Sequence, residues 1–301
     1  MPGGTIAIVS PASSEDRARF EPAVKYFSDR GFNVIEGAHT RDKYGYLAGS
    51  DLDRAADVNR FLQDDKVSAV FASRGGYGCS RILPLIDYAA AAYHPKIIIG
   101  GSDVTALLWA IHQRTGLITF YGPMALQAGE GLDVYSEASL WNALNGRLKG
   151  DFIPPAGREL VTIIPGKAEG RLIGGCLSLA VSLLGTEYFG DISGKILFLE
   201  EIGEKPFRID RMLTHLKNAG VIDKISGLLL GDFHKCWEEE DKEAFSLSEI
   251  VHQLLADKEL PVLAGLPLGH SDVKMTLPLG VEIEMDAENG KLCFLEEGVA
   301  L

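Results

Sequence analysis

Cysteine is scarce in this chain, long apolar runs are missing, and positive charge falls well short of negative. The four cysteines, Cys79, Cys176, Cys236 and Cys293, lie far apart and form no C-x-x-C pair. That spacing argues against a disulfide framework, and reduced thiols in a cytoplasmic setting are the simplest account. No apolar run approaches the roughly 20 residues that a membrane-spanning helix requires. Met1 to Ser10 passes straight into an apolar strand without the basic region of a secretory signal. Lysine and arginine number 29 against 42 aspartates and glutamates, a net charge of −13. Nucleic acid and anionic membrane are therefore poor partners. The seven histidines include no H-E-x-x-H and no H-x-x-x-H pair, which argues against a zinc protease. His234-Lys235-Cys236 is the one cluster with a metal-like look, and the expectation is no metal and no cofactor.

What is present is an alternation of strands and helices. At 301 residues the chain has room for one large or two medium domains. Strands are expected at Thr5 to Val9, Phe32 to Ile35, Val67 to Ala72, Lys96 to Ile99 and Leu117 to Phe120. Helices fall between them, from Ser13 or Ser14 to Asp29, from Asp51 to Leu62, and from Ser102 to about Thr115, where Gly116 stops the run. Short apolar strands separated by amphipathic helices imply a parallel sheet covered on both faces, with ligands gathering at the carboxyl ends of its strands.

The texture changes around Asp151 to Gly170, where Pro154, Pro155, Gly157, Pro165 and Gly166 punctuate a polar stretch. This reads as a linker over 151–169, between an α/β domain of residues 1–150 and a mixed, β-rich domain of residues 170–301. In the second half, helices are expected near Gly174 to Leu184 and Arg208 to Asn218. Strands are expected at Lys195 to Leu199, Ser226 to Leu230, near Val262, and at Val281 to Met285 and Leu292 to Leu295. The acidic run Glu238 to Asp241 reads as a solvated loop.

Candidate chemistry begins at Ser102. K-I-I-I-G-G precedes it from Lys96, and an apolar helix follows. A serine at such a turn suits two roles, helix N-cap and exposed nucleophile beside free helix N–H groups. The G-x-S-x-G elbow is only half matched, since Gly100 fills the first place and Val104 the second. Arg74-Gly75-Gly76-Tyr77-Gly78 also follows a strand, so it is expected to face the same cleft. His270 sits in the glycine-bounded loop L-G-H-S-D, where a side chain is presented without helix packing. Glu200 and Glu201 end the apolar run I-L-F-L, where a carboxylate is costly unless it is paired or faces a cleft. Alternation over four apolar residues does not decide which of the two points inward.

Eight segments in order resemble the LD-carboxypeptidases, the muramoyl-tetrapeptide carboxypeptidase group of serine peptidases. They are I-A-I-V-S-P-A-S from Ile6, R-G-G-Y-G from Arg74, G-G-S-D-V-T-A-L from Gly100 and Y-G-P-M from Tyr121. G-R-L-I-G-G-C-L from Gly170, L-E-E-I-G-E-K-P-F-R-I-D-R-M-L from Leu199, G-H-S-D from Gly269 and T-L-P-L-G from Thr276 complete the set. Glu201, where relatives more often carry aspartate, and the Phe233 to Ser246 loop depart from the pattern.

The resemblance implies a flavodoxin-like N-terminal domain with a parallel sheet and a smaller mixed β-rich C-terminal domain, usually in a homodimer. It implies Ser102 as nucleophile, Glu200 as the carboxylate that orients the base, and His270 as general base and acid. The Asp103 backbone N–H, and a second N–H from Gly75-Gly76 with Gly76 favoured, would then hold the oxyanion. Arg74 is the candidate grip for a substrate carboxylate. The implied substrate is a murein tetrapeptide of cytoplasmic peptidoglycan recycling, cut at the L,D-bond to release terminal D-alanine. Two alternatives stand beside this reading. One is a microcin-immunity type hydrolase of peptidyl-aminoacyl nucleotides, which the stretch Glu204 to Arg211 resembles less. The other is a two-domain small-molecule binder without chemistry, which has no use for the separated serine, glutamate and histidine.

Overall fold

The computed structural model describes residues 3–238 and 243–299. Most of the acidic run, residues 239–241, lies outside the described residues. The first half carries β1 (Thr5–Val9), α1 (Phe20–Ser28), β2 (Asn33–Glu36), α2 (Asp51–Gln63), β3 (Val67–Ala72), α3 (Cys79–Ile82) and α4 (Tyr88–Tyr93). It continues with β4 (Ile97–Gly100), α5 (Thr105–Thr115), β5 (Thr119–Tyr121), α6 (Ala125–Glu130) and α7 (Val134–Leu144). The second half holds β6 (Gly150–Asp151), β7 (Val161–Ile164), β8 (Lys167–Cys176), α8 (Leu177–Leu183), β9 (Ile196–Ile202), α9 (Pro206–Asn218) and β10 (Gly227–His234). It ends with α10 (Leu247–Leu255), β11 (Val262–Ala264), β12 (Leu277–Leu279), β13 (Glu282–Asp286) and β14 (Lys291–Phe294).

Two sheets organise the molecule. The first runs β2-β1-β3-β4-β5 in parallel, the flavodoxin order, with β12 added antiparallel on β5. The second runs β6-β14-β13-β8-β9-β10-β11-β7, with a parallel centre from β8 to β11 and antiparallel flanks. The fold class expected from the alternation and the resemblance is the one observed. Local chemistry sets the element ends: Ser50 and Asp53 close a capping box at the start of α2, and Gly116 stops α5 at φ 74°.

Helix α5 is a central contact between the two halves. Thr105 through His112 are all buried, because the helix is covered by the first sheet on one side and by the second half on the other. Trp109 stacks on Phe189 and donates its indole N–H to the Phe189 carbonyl at 2.9 Å. Thr105 Oγ1 accepts the Cys176 backbone N–H at 3.0 Å, and a Cβ built on Gly175 would stand 2.4 Å from Thr105 Cγ2. The helix therefore enters a gap that only a glycine leaves open.

Three local readings differ from the structure. The stretch read as a linker, 151–169, also carries β7 and the start of β8: Val161-Thr162-Ile163-Ile164 is β-branched and pairs with β11, while the Pro and Gly residues mark its turns. The helix expected from Gly174 starts only at Leu177, because Gly174 (φ 155°) and Gly175 (φ 147°) continue β8 opposite Phe198 and Leu199. Residues 277–279, not expected as a strand, close the edge of the first sheet against β5.

Gly175→Ala is expected to destabilise the protein by about 2–5 kcal/mol, combining backbone strain with overpacking against Thr105. Gly194→Ala, also at positive φ (68°) but with nothing within 4 Å of the added methyl, is the comparison. It should cost about 1–2 kcal/mol. Denaturant unfolding of both variants measures the difference.

Candidate active site

The carboxyl ends of parallel strands from both sheets converge on one small cavity. Ser102 follows β4 of the first sheet, Glu200 lies near the end of β9 of the second, and His270 sits in the loop after β11. Gly101, Ser102, Tyr121, Gly122, Met124, Gln127, Gly269, His270 and Lys274 are among its lining residues. A wider groove lies between α7 and the 147–156 segment, but neither the serine nor the histidine lines it.

Ser102 takes φ 57°, and Lys235 is the only other non-glycine described residue with positive φ. Such a conformation costs of order 1–3 kcal/mol and persists only where its surroundings hold it. The turn after β4 does so. The Ser102 backbone N–H donates to the Tyr121 hydroxyl at 2.8 Å, and Val104 N–H donates to the Gly101 carbonyl at 3.1 Å. Gly101 is the N-cap of the turn that follows and Ser102 its first residue, so the N-cap role does not describe the serine. Among the described residues no hydrogen bond joins the Ser102 hydroxyl to His270, although both line the cavity.

Glu200 has no solvent exposure. Its two oxygens are divided: Oε1 accepts the Tyr121 hydroxyl at 2.6 Å, and Oε2 is 2.9 Å from His270 Nδ1. Burial and the neighbouring Glu200 charge push the Tyr121 phenol well above its ordinary range, so it stays a donor. A bond from Nδ1–H to Glu200 leaves the His270 Nε2 lone pair free, the tautomer that a base needs. Glu201, also buried, serves the opposite face of β9. Its carboxylate accepts the Ser178 N–H at 2.8 Å at the start of α8 and its neighbour Ile202 N–H at 2.9 Å. Burial raises its pKa despite these bonds. The alternatives left open by spacing thus resolve into two buried carboxylates with different partners.

The R-G-G-Y-G segment packs directly on the serine. A Cβ built on Gly75 would lie 2.7 Å from Ser102 Cβ, 3.0 Å from its Oγ and 3.2 Å from Asp103 N, so only glycine allows this approach. Gly76 (φ 110°) is equally closed, since its Cβ would stand 2.4 Å from Ser13 Oγ. Ser13 holds the segment by accepting the Tyr77 N–H at 3.0 Å, and buried Arg54 donates to the Gly78 carbonyl at 3.0 Å and to Pro11. The Asp103 carboxylate points away from the cavity and caps α3 through the Cys79 N–H at 2.8 Å. Arg74 donates to Glu15 at 2.5 Å; burial raises the Glu15 pKa, but the Asp16 backbone N–H and the Arg74 and Arg19 guanidinium groups outweigh it and hold the carboxyl below its ordinary range. Of the remaining histidines, His39 pairs with Asp42 and His94 with Asp65, both away from the cavity. Sequence pattern alone assigns no role to Tyr121 or Lys274. Y-G-P-M was the signal for the first, and none pointed to the second.

Residues 6–122 match the LD-carboxypeptidase N-terminal domain and residues 169–285 the LD-carboxypeptidase C-terminal domain. The probable murein peptide carboxypeptidase of Bacillus subtilis is 37% identical over 304 residues, covering 99% of this chain and 93% of that one. The murein tetrapeptide carboxypeptidase of Pseudomonas aeruginosa is 32% identical, covering 92% and 91%. Among solved structures, the wild-type apo microcin C7 self-immunity protein MccF of Escherichia coli is 29% identical with a TM-score of 0.91, covering 100% of this chain and 98% of that one. The chain belongs to the LD-carboxypeptidase family.

Tyr121→Phe removes the acceptor of the Ser102 N–H and the donor to Glu200 without changing ring packing on Phe198. It should cost about 1–3 kcal/mol of stability and lower kcat roughly 10- to 100-fold. KM should change little. Denaturant unfolding and steady-state kinetics on one preparation read both effects.

Proposed function

We propose that this member of the family is a serine carboxypeptidase that releases terminal D-alanine from murein tetrapeptides at the L,D-bond. Ser102 attacks the scissile carbonyl, His270 Nε2 takes its proton and returns it to the leaving amine, and Glu200 holds the imidazole and stabilises its cation. The Asp103 and Gly76 N–H groups stabilise the oxyanion of the tetrahedral intermediate. One observation carries the reading: a fully buried glutamate holds His270 Nδ1 at 2.9 Å beside a serine at φ 57° in the same cavity. The names of the Bacillus and Pseudomonas relatives support the substrate class.

The same reading treats residues 1–150 and 170–301 as two units whose docking through α5 assembles the site, one supplying Ser102 and the other Glu200 and His270. It carries with it a homodimer working in the cytoplasm. The likeness to MccF supports a second reading, hydrolysis of a microcin-type aminoacyl nucleotide. Supplying a murein tetrapeptide, the corresponding pentapeptide and an aminoacyl nucleotide side by side separates the two. Release of D-alanine from the tetrapeptide with the pentapeptide spared is the expected result. Turnover of the nucleotide alone would replace the reading. The pentapeptide is spared because a D-centre on the acyl side turns its substituents differently about the attacked carbonyl.

Ser102→Ala and His270→Ala should each lower kcat by roughly 10⁴- to 10⁶-fold while the fold is retained. Glu200→Gln should lose roughly 10³- to 10⁴-fold, as expected when the orienting carboxylate becomes an amide. Glu201→Gln keeps an acceptor oxygen for Ser178 N–H and should stay near wild-type activity. Near-normal hydrolysis by a folded Ser102→Ala protein, or equal losses at the two glutamates, would remove the triad assignment.

A further inference from the structure

We propose that Lys274 is the specificity-determining cation of this site, binding the terminal carboxylate of the leaving residue. The inference rests on the carboxypeptidase reading and adds to it the group that restricts cleavage to a chain end. An exopeptidase of this kind needs a positive charge close to its nucleophile, because the free carboxylate is attached to the same carbon as the scissile nitrogen. In a chain of net charge −13 such a charge has to be local.

Lys274 meets that requirement by position. It lines the same cavity as Ser102 and His270, and apart from His270 it is the only basic side chain there among the described residues. Its backbone is fixed on both sides. Lys274 N–H donates to Ser136 Oγ at 2.7 Å, Met275 N–H to the Pro267 carbonyl at 2.7 Å and Thr276 N–H to Ser139 Oγ at 2.9 Å. The ammonium makes no ion pair with any described residue.

The surrounding acids are Asp272, Asp133, Asp232 and Glu200, and three of them are committed elsewhere. Asp133 caps α7 through Tyr135 and Ser136, Asp232 is held by Arg158 and Ser271, and Glu200 by Tyr121 and His270. These charges favour the ammonium without neutralising it, while burial works against it and leaves its pKa lowered. A half-buried cation with no fixed partner gains most from an incoming carboxylate. Gln127 lines the same space, and its Oε1 is used by the Met124 N–H at 3.0 Å, which leaves its amide hydrogens as second donors. Arg74, the cation singled out by the sequence, is paired with Glu15 and does not line the cavity.

The small cavity also favours the leaving residue over the acyl side. A side-chain carboxylate on the third residue lies several bonds from the attacked carbon, whereas the terminal carboxylate lies within one residue of it.

The test compares kcat/KM for a murein tetrapeptide ending in free D-alanine and for the same peptide ending in D-alaninamide. The wild-type protein should prefer the acid by roughly 10- to 100-fold, the worth of one hydrogen-bonded charge pair. In Lys274→Met this preference should collapse toward equal rates, and in Lys274→Arg most of it should return. The acid-to-amide ratio does not depend on the fraction of protein folded, so partial misfolding leaves the result readable. A ratio preserved in Lys274→Met overturns the inference, as does a collapse seen in Arg74→Met instead. Loss of discrimination between diaminopimelate and lysine peptides, with the acid-to-amide ratio intact, assigns Lys274 to the acyl side and also overturns it. Absence of any tetrapeptide turnover by the wild-type protein is a separate result, and it removes the function proposed above together with this inference.

Discussion

A carboxylate removed from water has to be satisfied by the protein, and the site is organised around how that is done for Glu200. Its two oxygens accept from groups belonging to different parts of the chain, the Tyr121 phenol from the first sheet and the His270 imidazole from a loop of the second half. Left unpaired at this depth, the charge would cost several kcal/mol. The geometry of the imidazole is thereby tied to the docking of the two sheets, and the Tyr121 hydroxyl extends the tie to the backbone of Ser102.

Docking is in turn a matter of close approach. Helix α5 starts one turn after Ser102 and enters the second half where β8 presents Gly175, with Thr105 bonded to Cys176. Cys176 sits opposite Glu200 in the β8–β9 register, so the residue that receives α5 is laterally paired with the buried carboxylate. On the other side of the serine, Gly75 comes as near as backbone can. Strain at Ser102 is held in place between these contacts, which is the condition for a serine at positive φ to persist. The first sheet contributes the sharp turn, and the second half contributes the Glu200-bound imidazole that lines the same cavity.

Charge is distributed to the same end. The molecule is acidic overall, yet most arginines near the site are occupied by carboxylates: Arg74 by Glu15, Arg158 by Asp232, Arg54 by Asp51. These pairs fix loops, and they leave Lys274 as the cation lining the cavity. Of the two adjacent glutamates on β9, one is bonded to an imidazole and the other to a helix start, so neighbours in sequence serve different structures.

Much of this was determined by the sequence alone. The strands at Thr5–Val9 and Val67–Ala72 and the helix stop at Gly116 follow from apolar pattern and glycine chemistry within a few residues, and the structure has them in place. The strand–Ser102–helix turn was legible for the same reason, as was the family, through segments kept in order along the chain. Only the tertiary structure decided the rest. Gly174 and Gly175 read as the start of a helix until pairing with Phe198 and Leu199 made them strand, and β12 exists because β5 offers it an edge. Glu200 and Glu201 are equivalent by local pattern; which one meets the imidazole depends on the face of β9 turned toward Tyr121, 79 residues away. Lys274 carries no local signal at all, because its lack of an ion-pair partner depends on what the nearby Asp133, Asp232 and Glu200 bind elsewhere in the fold, and Asp272, two residues away, forms no ion pair with it. Short-range chemistry chooses elements and turns, whereas partners of buried charges are chosen by contacts far apart in the chain.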